Sequence, residues 1–151
     1  ITYHKCSQFT YNLNPSFLAR GKGEKLTYRF TIDGRLPGNN EFIRANRTNP
    51  HKGNSMKKSN EEIIIWAIRQ QLKRLKIHKP VHIHYRFVEK DKRRDKDNIA
   101  SFAMKVIQDS LVKAGTLKND GWKEVESFSC TFGVDKKRPR IEVEITEVED
   151  V

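Results

Sequence analysis

The sequence is short of several things, and each shortage closes off a class of function. It holds two cysteines, Cys6 and Cys130, which form neither a metal-ligand spacing nor a disulfide framework. A reducing cytoplasm suits that usage. No apolar run reaches transmembrane length, and the N-terminus lacks the apolar core of a secretory signal. No G-x-S-x-G, P-loop or dinucleotide fingerprint is present, so no organic cofactor is expected. Acidic residues are outnumbered: 19 Asp and Glu stand against 30 Lys and Arg, a formal charge of +11. A polyanion is therefore the first partner to expect. Nucleic acid fits better than a membrane surface, because no basic amphipathic helix with exposed large apolar residues stands out.

What is present reads as one α/β domain. A chain of 151 residues suits a single domain and can bury about 68–70% of its unfolded surface. Residues 1–25 have no sustained period and read as an N-terminal extension to a domain over 26–151. Their "KGEK" is what a purine-rich ribosome-binding site would encode, and Leu can come from an alternative start codon. The native product is then expected to begin near Leu26; an ordinary extension is the alternative. "LTYRFTIDGRL" predicts a strand, closed by the turn cluster Pro37-Gly38-Asn39-Asn40. Residues 44–58 read as a basic loop carrying Arg44, Arg47, Lys52, Lys57 and Lys58. Ser59-x-x-Glu62 matches a capping box that opens a helix through Ile64, Ile65, Ile68, Leu72 and Leu75. Residues 81–90 alternate, with Val81, Ile83, Tyr85 and Phe87 on one face and His82, His84 and Arg86 on the other. Without a third ligand nearby, the two histidines read as ordinary residues of the exposed face. A second helix over 98–114 bears the stripe Ile99, Phe102, Ala103, Val106, Ile107 and Leu111, and Gly115 ends it. Residues 124–134 and 140–148 read as a closing pair of strands. The expected order is β-α-β-α-β-β, with a mixed sheet and two main helices. Trp66 and Trp122 are expected to pack, stacking on a base being the alternative for Trp122.

One stretch, "KRRDKDNIASFAMKVIQDS", carries the chemistry. In extended chain, Asp95 and Asp97 would point the same way. Two carboxylates so close repel unless a proton or a cation intervenes; helix capping is the plainer alternative. Asp120 lies in a Gly-containing turn past the second helix. It reaches the same site only across a returning segment or from a second subunit, and turn chemistry alone would also account for it. Lys105 and Asp109 are spaced i, i+4 in the less favourable order for a helix salt bridge, which suggests a lysine facing phosphate and an aspartate orienting it. Lys90, Lys92, Arg93, Arg94 and Lys96 supply phosphate contacts. These are the components of a metal-dependent phosphodiesterase: oxygen ligands for Mg²⁺, an activated water and a cation for the developing charge.

The run "RRDKDNIASFAMKVIQDSLVKAGTLKNDGW" resembles the signature of the RusA family of Holliday-junction resolvases. "DGRLPGNNEFIR" resembles the family's first strand and turn, and "RIEVEITEV" its closing strand. The resemblance spans residues 27–148. It implies a RusA-like fold and a homodimer that binds four-way junctions or other branched DNA in recombination and repair. It further implies two symmetric nicks with Mg²⁺, or Mn²⁺ as substitute, in the cytoplasm of a bacterial or phage-infected cell. Carried over by position, Asp95, Asp97 and Asp120 match the metal-binding acids, Lys105 the catalytic lysine, Asp109 the helix aspartate and Arg94 the junction-contacting residue. The chain departs from the pattern in a helix about one turn longer before Lys105, and in Asn119, which stands where a further aspartate often occurs. A non-catalytic DNA-binding module, and a Mg²⁺ nuclease acting on other branched DNA or structured RNA, are the alternatives. On any of these readings the logarithm of DNA affinity should fall linearly with the logarithm of salt concentration. A flat response in a binding titration would contradict phosphate contact.

Overall fold

The computed structural model describes residues 25–149, so the expected N-terminal extension lies outside the described residues apart from Lys25. The elements are β1 (Thr27–Asp33), α1 (Asn39–Thr48), α2 (Pro50–Leu72), β2 (Val81–Glu89), α3 (Lys96–Lys113), β3 (Val125–Val134) and β4 (Arg140–Glu147). Four strands form one sheet in the order β1-β4-β2-β3. β4 is antiparallel to both β1 and β2, whereas β2 and β3 run parallel. The parallel pair requires a crossover, and α3 supplies it. The small α/β domain with a mixed sheet is as expected.

Two expectations about its parts need correction. The stretch 44–58 is helical: α1 ends at Thr48, and α2 starts two residues later and runs for 23 residues. The capping box at Ser59 is therefore inside a helix, and the described domain has three helices rather than two. Asn49 and Pro50 do break the chain, but for one residue only. Asn49 caps α2 by accepting a hydrogen bond from the His51 N–H at 2.9 Å, and Pro50 takes the first helical position, where its missing N–H costs nothing. Gly53 lies in the helix because α1 packs hard against it: a Cβ there would come within 1.6 Å of Asn46 Oδ1. The glycine that suggested a loop marks a close crossing. Secondly, β3 and β4 are not neighbours. β4 inserts between β1 and β2, where its buried Ile141, Val143 and Ile145 suit a central strand.

All three helices lie on one face of the sheet. Phe30, Ile32, Val81, Ile83, Tyr85, Phe87, Ile141, Val143 and Ile145 form the floor of the core. Ile64 and Ile68 of α2 close it from above, together with Ile99, Phe102, Val106, Ile107 and Leu111 of α3. Each such side chain contributes about 1.5–3 kcal/mol. The opposite face is polar. There His82 and His84 meet the hydroxyls of Ser127, Ser129 and Thr131 at 2.6–3.0 Å, so their ring nitrogens fasten β2 to β3. Both tryptophans escape the core. Trp66 is 67% exposed, because it is two residues from Ile64 and Ile68, roughly 200° round the helix from the buried stripe. Trp122, in the turn before β3, is 99% exposed. None of the described helices is long and apolar enough to cross a membrane.

A contact between distant segments sets the start of α1. Its N-cap is Gly38, which has no side chain to offer. Asn98, from the first turn of α3, takes over that function by accepting from the Asn40 N–H at 2.8 Å. A Cβ on Gly38 would sit 2.8 Å from the same amide group. Asn98→Ala should therefore cost about 1 kcal/mol, as loss of a cap does. Gly53→Ala should cost more, about 1–3 kcal/mol, through overpacking. Urea denaturation checks both; a smaller loss for Gly53→Ala than for Asn98→Ala would show that α1 and α2 splay freely.

Candidate active site

The site is built on the β2–α3 junction. β2 ends at Glu89, and the loop that follows is tied down by Arg94. Its Nε donates to Glu89 Oε1 at 2.7 Å and its Nη1 to the Leu36 carbonyl at 3.0 Å, with Glu41 Oε1 at 4.0 Å. Only 14% of the Arg94 side chain is exposed. The arginine expected to touch DNA thus holds the loop in place. Lys92, Arg93 and Lys96 beside it are exposed, with the Lys96 ammonium over the Phe132 ring.

α3 begins at Lys96, two residues before the expected start. Asp95 is its N-cap, in extended conformation, and Asp97 is already in the first turn. The two therefore do not project as successive residues of one strand face. The Asp95 carbonyl accepts from the Ile99 N–H at 3.0 Å, yet its carboxylate makes no cap bond. Both carboxylates are exposed, and among the described residues neither has a hydrogen-bond or ion-pair partner. The positive end of the helix dipole is their nearest compensation. Simple capping, the plainer alternative for Asp95, is not what its side chain does.

From Asp97, one flank of α3 continues in steps of four through Ser101, Lys105 and Asp109. Lys105 Nζ donates to Asp109 Oδ1 at 2.9 Å and to Asp120 Oδ2 at 3.4 Å. Asp120 arrives on a returning segment of the same chain: Gly115, at φ 81°, reverses direction, and Ile77 and Leu117 then bridge. The Asp120 N–H is held by Asn119 Oδ1 at 2.9 Å. The structure thus unites Lys105, Asp109 and Asp120, while Asp95 and Asp97 stand at the head of the helix, about 12–15 Å from Lys105 along the axis. Among the described residues, no three His, Cys, Asp or Glu side chains gather closely enough to hold a metal ion.

Behind Lys105 lies a ladder of alternating charge that includes a residue the sequence reading missed. Lys57 of α2 donates to the second Asp109 oxygen at 2.8 Å and is 3.6 Å from Glu61 Oε1. Glu61, 3% exposed, also pairs with Lys113. Lys57, expected on a basic loop, is helical and forms a rung of this ladder. Arg44, Arg47, Lys52 and Lys58 are exposed, on α1 and α2. Burial would push the Asp109 carboxyl up, but hydrogen bonds from Lys57 and Lys105 outweigh it and hold the group below the ordinary carboxylate value. The same bonds raise both lysines, against partial burial. Glu61 was open to detection: it precedes Ile64 by three residues and Ile68 by seven, a carboxylate on the core stripe. Such a group is nearly always paired.

The site's donors are all hard oxygens. Two unpartnered carboxylates at a helix head suit Mg²⁺, which is commonly held by one or two carboxylates with several waters retained. Among known proteins, the family model described as "Endodeoxyribonuclease RusA" matches residues 37–146. That span runs from the Pro37-Gly38 turn into β4 and contains Asp95, Asp97, Lys105, Asp109 and Asp120. No curated protein matches the chain. With the match covering well over half its length, the chain belongs to the RusA family of Holliday-junction-resolving endodeoxyribonucleases.

Proposed function

We propose that this protein resolves Holliday junctions by paired symmetric nicks, as a Mg²⁺-dependent homodimer. The observation that carries the proposal is the pair of exposed, unpartnered carboxylates, Asp95 and Asp97, in a chain of charge +11. A protein this basic has cations to spare, yet these two acids are left open. They would hold the ion, with Asp120 as the further acid drawn toward it. When bound, Mg²⁺ supplies an activated water and neutralises charge on the leaving oxygen.

The remaining work falls to the chain itself. Lys105 has 63% of its side chain in solvent, so its ammonium is free to meet a phosphate, while Asp109 fixes where that ammonium points. Lys57 and Glu61 hold Asp109 in turn, acting as positioning residues. Lys92, Arg93, Lys96, Arg44, Arg47, Lys52 and Lys58 would take backbone phosphates. Arg94 would act through the loop that presents Asp95. Support for a second copy comes from β3, an edge strand whose Phe128 is 55% exposed and Val134 48%. Such an edge invites cover, and two symmetric nicks need two sites.

The direct test compares a synthetic four-way junction with linear duplex of the same sequence, each with Mg²⁺ and with chelator. Asp97→Asn should abolish Mg²⁺-dependent nicking while junction affinity holds or tightens. Binding without any cleavage by the unaltered protein would favour the non-catalytic module, and equal cleavage of flaps or structured RNA would favour a broader nuclease. Single-turnover rates extend the test to the ladder. Lys105→Met should slow cleavage about 10²- to 10³-fold. Lys57→Met should slow it roughly ten- to a hundredfold by misplacing Lys105, with Lys57→Arg recovering much of the rate. A Lys57→Met enzyme of normal rate but weaker binding would return Lys57 to the DNA surface.

A further inference from the structure

Trp122 has no structural occupation, yet it stands beside the site. Its side chain is 99% exposed, and it is held out at the tip of a turn closed by the Val125 N–H to the Gly121 carbonyl at 3.0 Å. Asp120, two residues earlier, has its carboxylate 3.4 Å from Lys105 Nζ. An indole carries about 150–250 Å² of buriable surface, so leaving all of it in water forfeits substantial stabilisation unless a ligand covers it. The neighbours indicate which ligand. Lys118 and Lys123 are exposed on either side, and Gly121 adds no side chain. This is one flat ring among cations, not an apolar patch of the kind that meets a protein. Trp66, the other exposed tryptophan, sits beside exposed Ile63 on α2.

We infer that Trp122 is a stacking platform for an unpaired base at the branch of the DNA. The inference rests on the nuclease reading and deepens it by naming a source of selectivity for branched substrates. In linear duplex both faces of every base are occupied by their neighbours. At a branch, base pairs open and a face becomes available, and any of the four bases can use it because each has a π-face. An aromatic ring next to Asp120 and Lys105 would thereby hold the branch a short distance from the scissile phosphate. The phosphate-binding lysines and arginines, by contrast, grip duplex and junction alike.

The chain has two tryptophans, so Trp66→Phe leaves Trp122 as the sole fluorophore. In chelator, titrating this variant with a four-way junction of synthetic oligonucleotides should quench its emission, with little change for the matched duplex. Trp122→Ala should weaken junction binding about 5- to 150-fold, the range for loss of one base–aromatic stack. Its duplex affinity should stay the same, and Trp122→Phe should keep most of the junction preference. Because the side chain is 99% exposed, the variants should melt like the unaltered protein. Junction binding with unaltered emission and unaltered affinity for Trp122→Ala would overturn the inference and leave the nuclease reading standing. So would emission that changes with protein concentration in the absence of DNA, which would show a second copy covering the ring. Failure to bind either DNA would remove the nuclease reading and this inference with it.

Discussion

The burial of one stripe of α3 against β2 is the constraint on which the rest of the site depends. Ile99, Phe102, Ala103, Val106, Ile107 and Leu111 face the sheet and are almost fully excluded from water. Once that stripe is committed, the azimuth of every other residue on the helix follows. Asp97, Ser101, Lys105 and Asp109 then share a single flank at the border of core and solvent. The same helix links the two parallel strands, so its head must lie where β2 ends. Arg94, bonded to Glu89 and to the Leu36 carbonyl, and Asn98, bonded to the Asn40 N–H, secure that head to both the sheet and α1.

Charge in this protein is sorted by depth. The surface is basic and its lysines are largely free to exchange partners. Beneath it, Glu61, Lys57, Asp109, Lys105 and Asp120 alternate in sign from the buried end of the ladder to its exposed end. A carboxylate as enclosed as Glu61 would cost several kcal/mol without cationic partners, and two lysines supply them. The alternation orders Lys105 without neutralising it, since most of its side chain remains in solvent. Within the site, Asp95 and Asp97 differ: among the described residues neither has an ion-pair partner. The contrast between paired and unpaired acids separates the positioning part of the site from the part left open for a ligand.

The sheet is covered unevenly. Helices shield β1, β4 and β2 on one face, but β3 at the edge is only half covered. Cys130 Sγ meets Met104 Sδ at 3.4 Å, while Phe128 further along stays open. Among the described residues the opposite face has no second layer, and its histidine–hydroxyl bonds hold β3 to β2 where packing does not. The domain thus leaves exposed apolar side chains on its edge strand, Phe128 and Val134, and a protruding indole, Trp122, two residues from Asp120.

The local chemistry of the chain determined more than its composition suggests. The alternation in β2 and β4 and the stripe and Gly115 terminus of α3 follow from period and turn residues, all properties of neighbouring residues. Residues 44–58 misled because Asn, Pro and Gly are read as breakers, whereas here Asn49 and Pro50 start a helix and Gly53 admits α1. Only contact with Asn46 reveals that. Trp66 and Trp122 misled because a large apolar residue predicts burial only if some surface arrives to bury it. The pairings of Asp120 with Lys105, of Lys57 with Asp109 and of Asn98 with Asn40 join residues 15, 52 and 58 positions apart. Sequence by itself set which groups carry charge and which faces seek the core; tertiary structure alone decided which charges meet, because that depends on where the helices come to rest once their apolar stripes are buried.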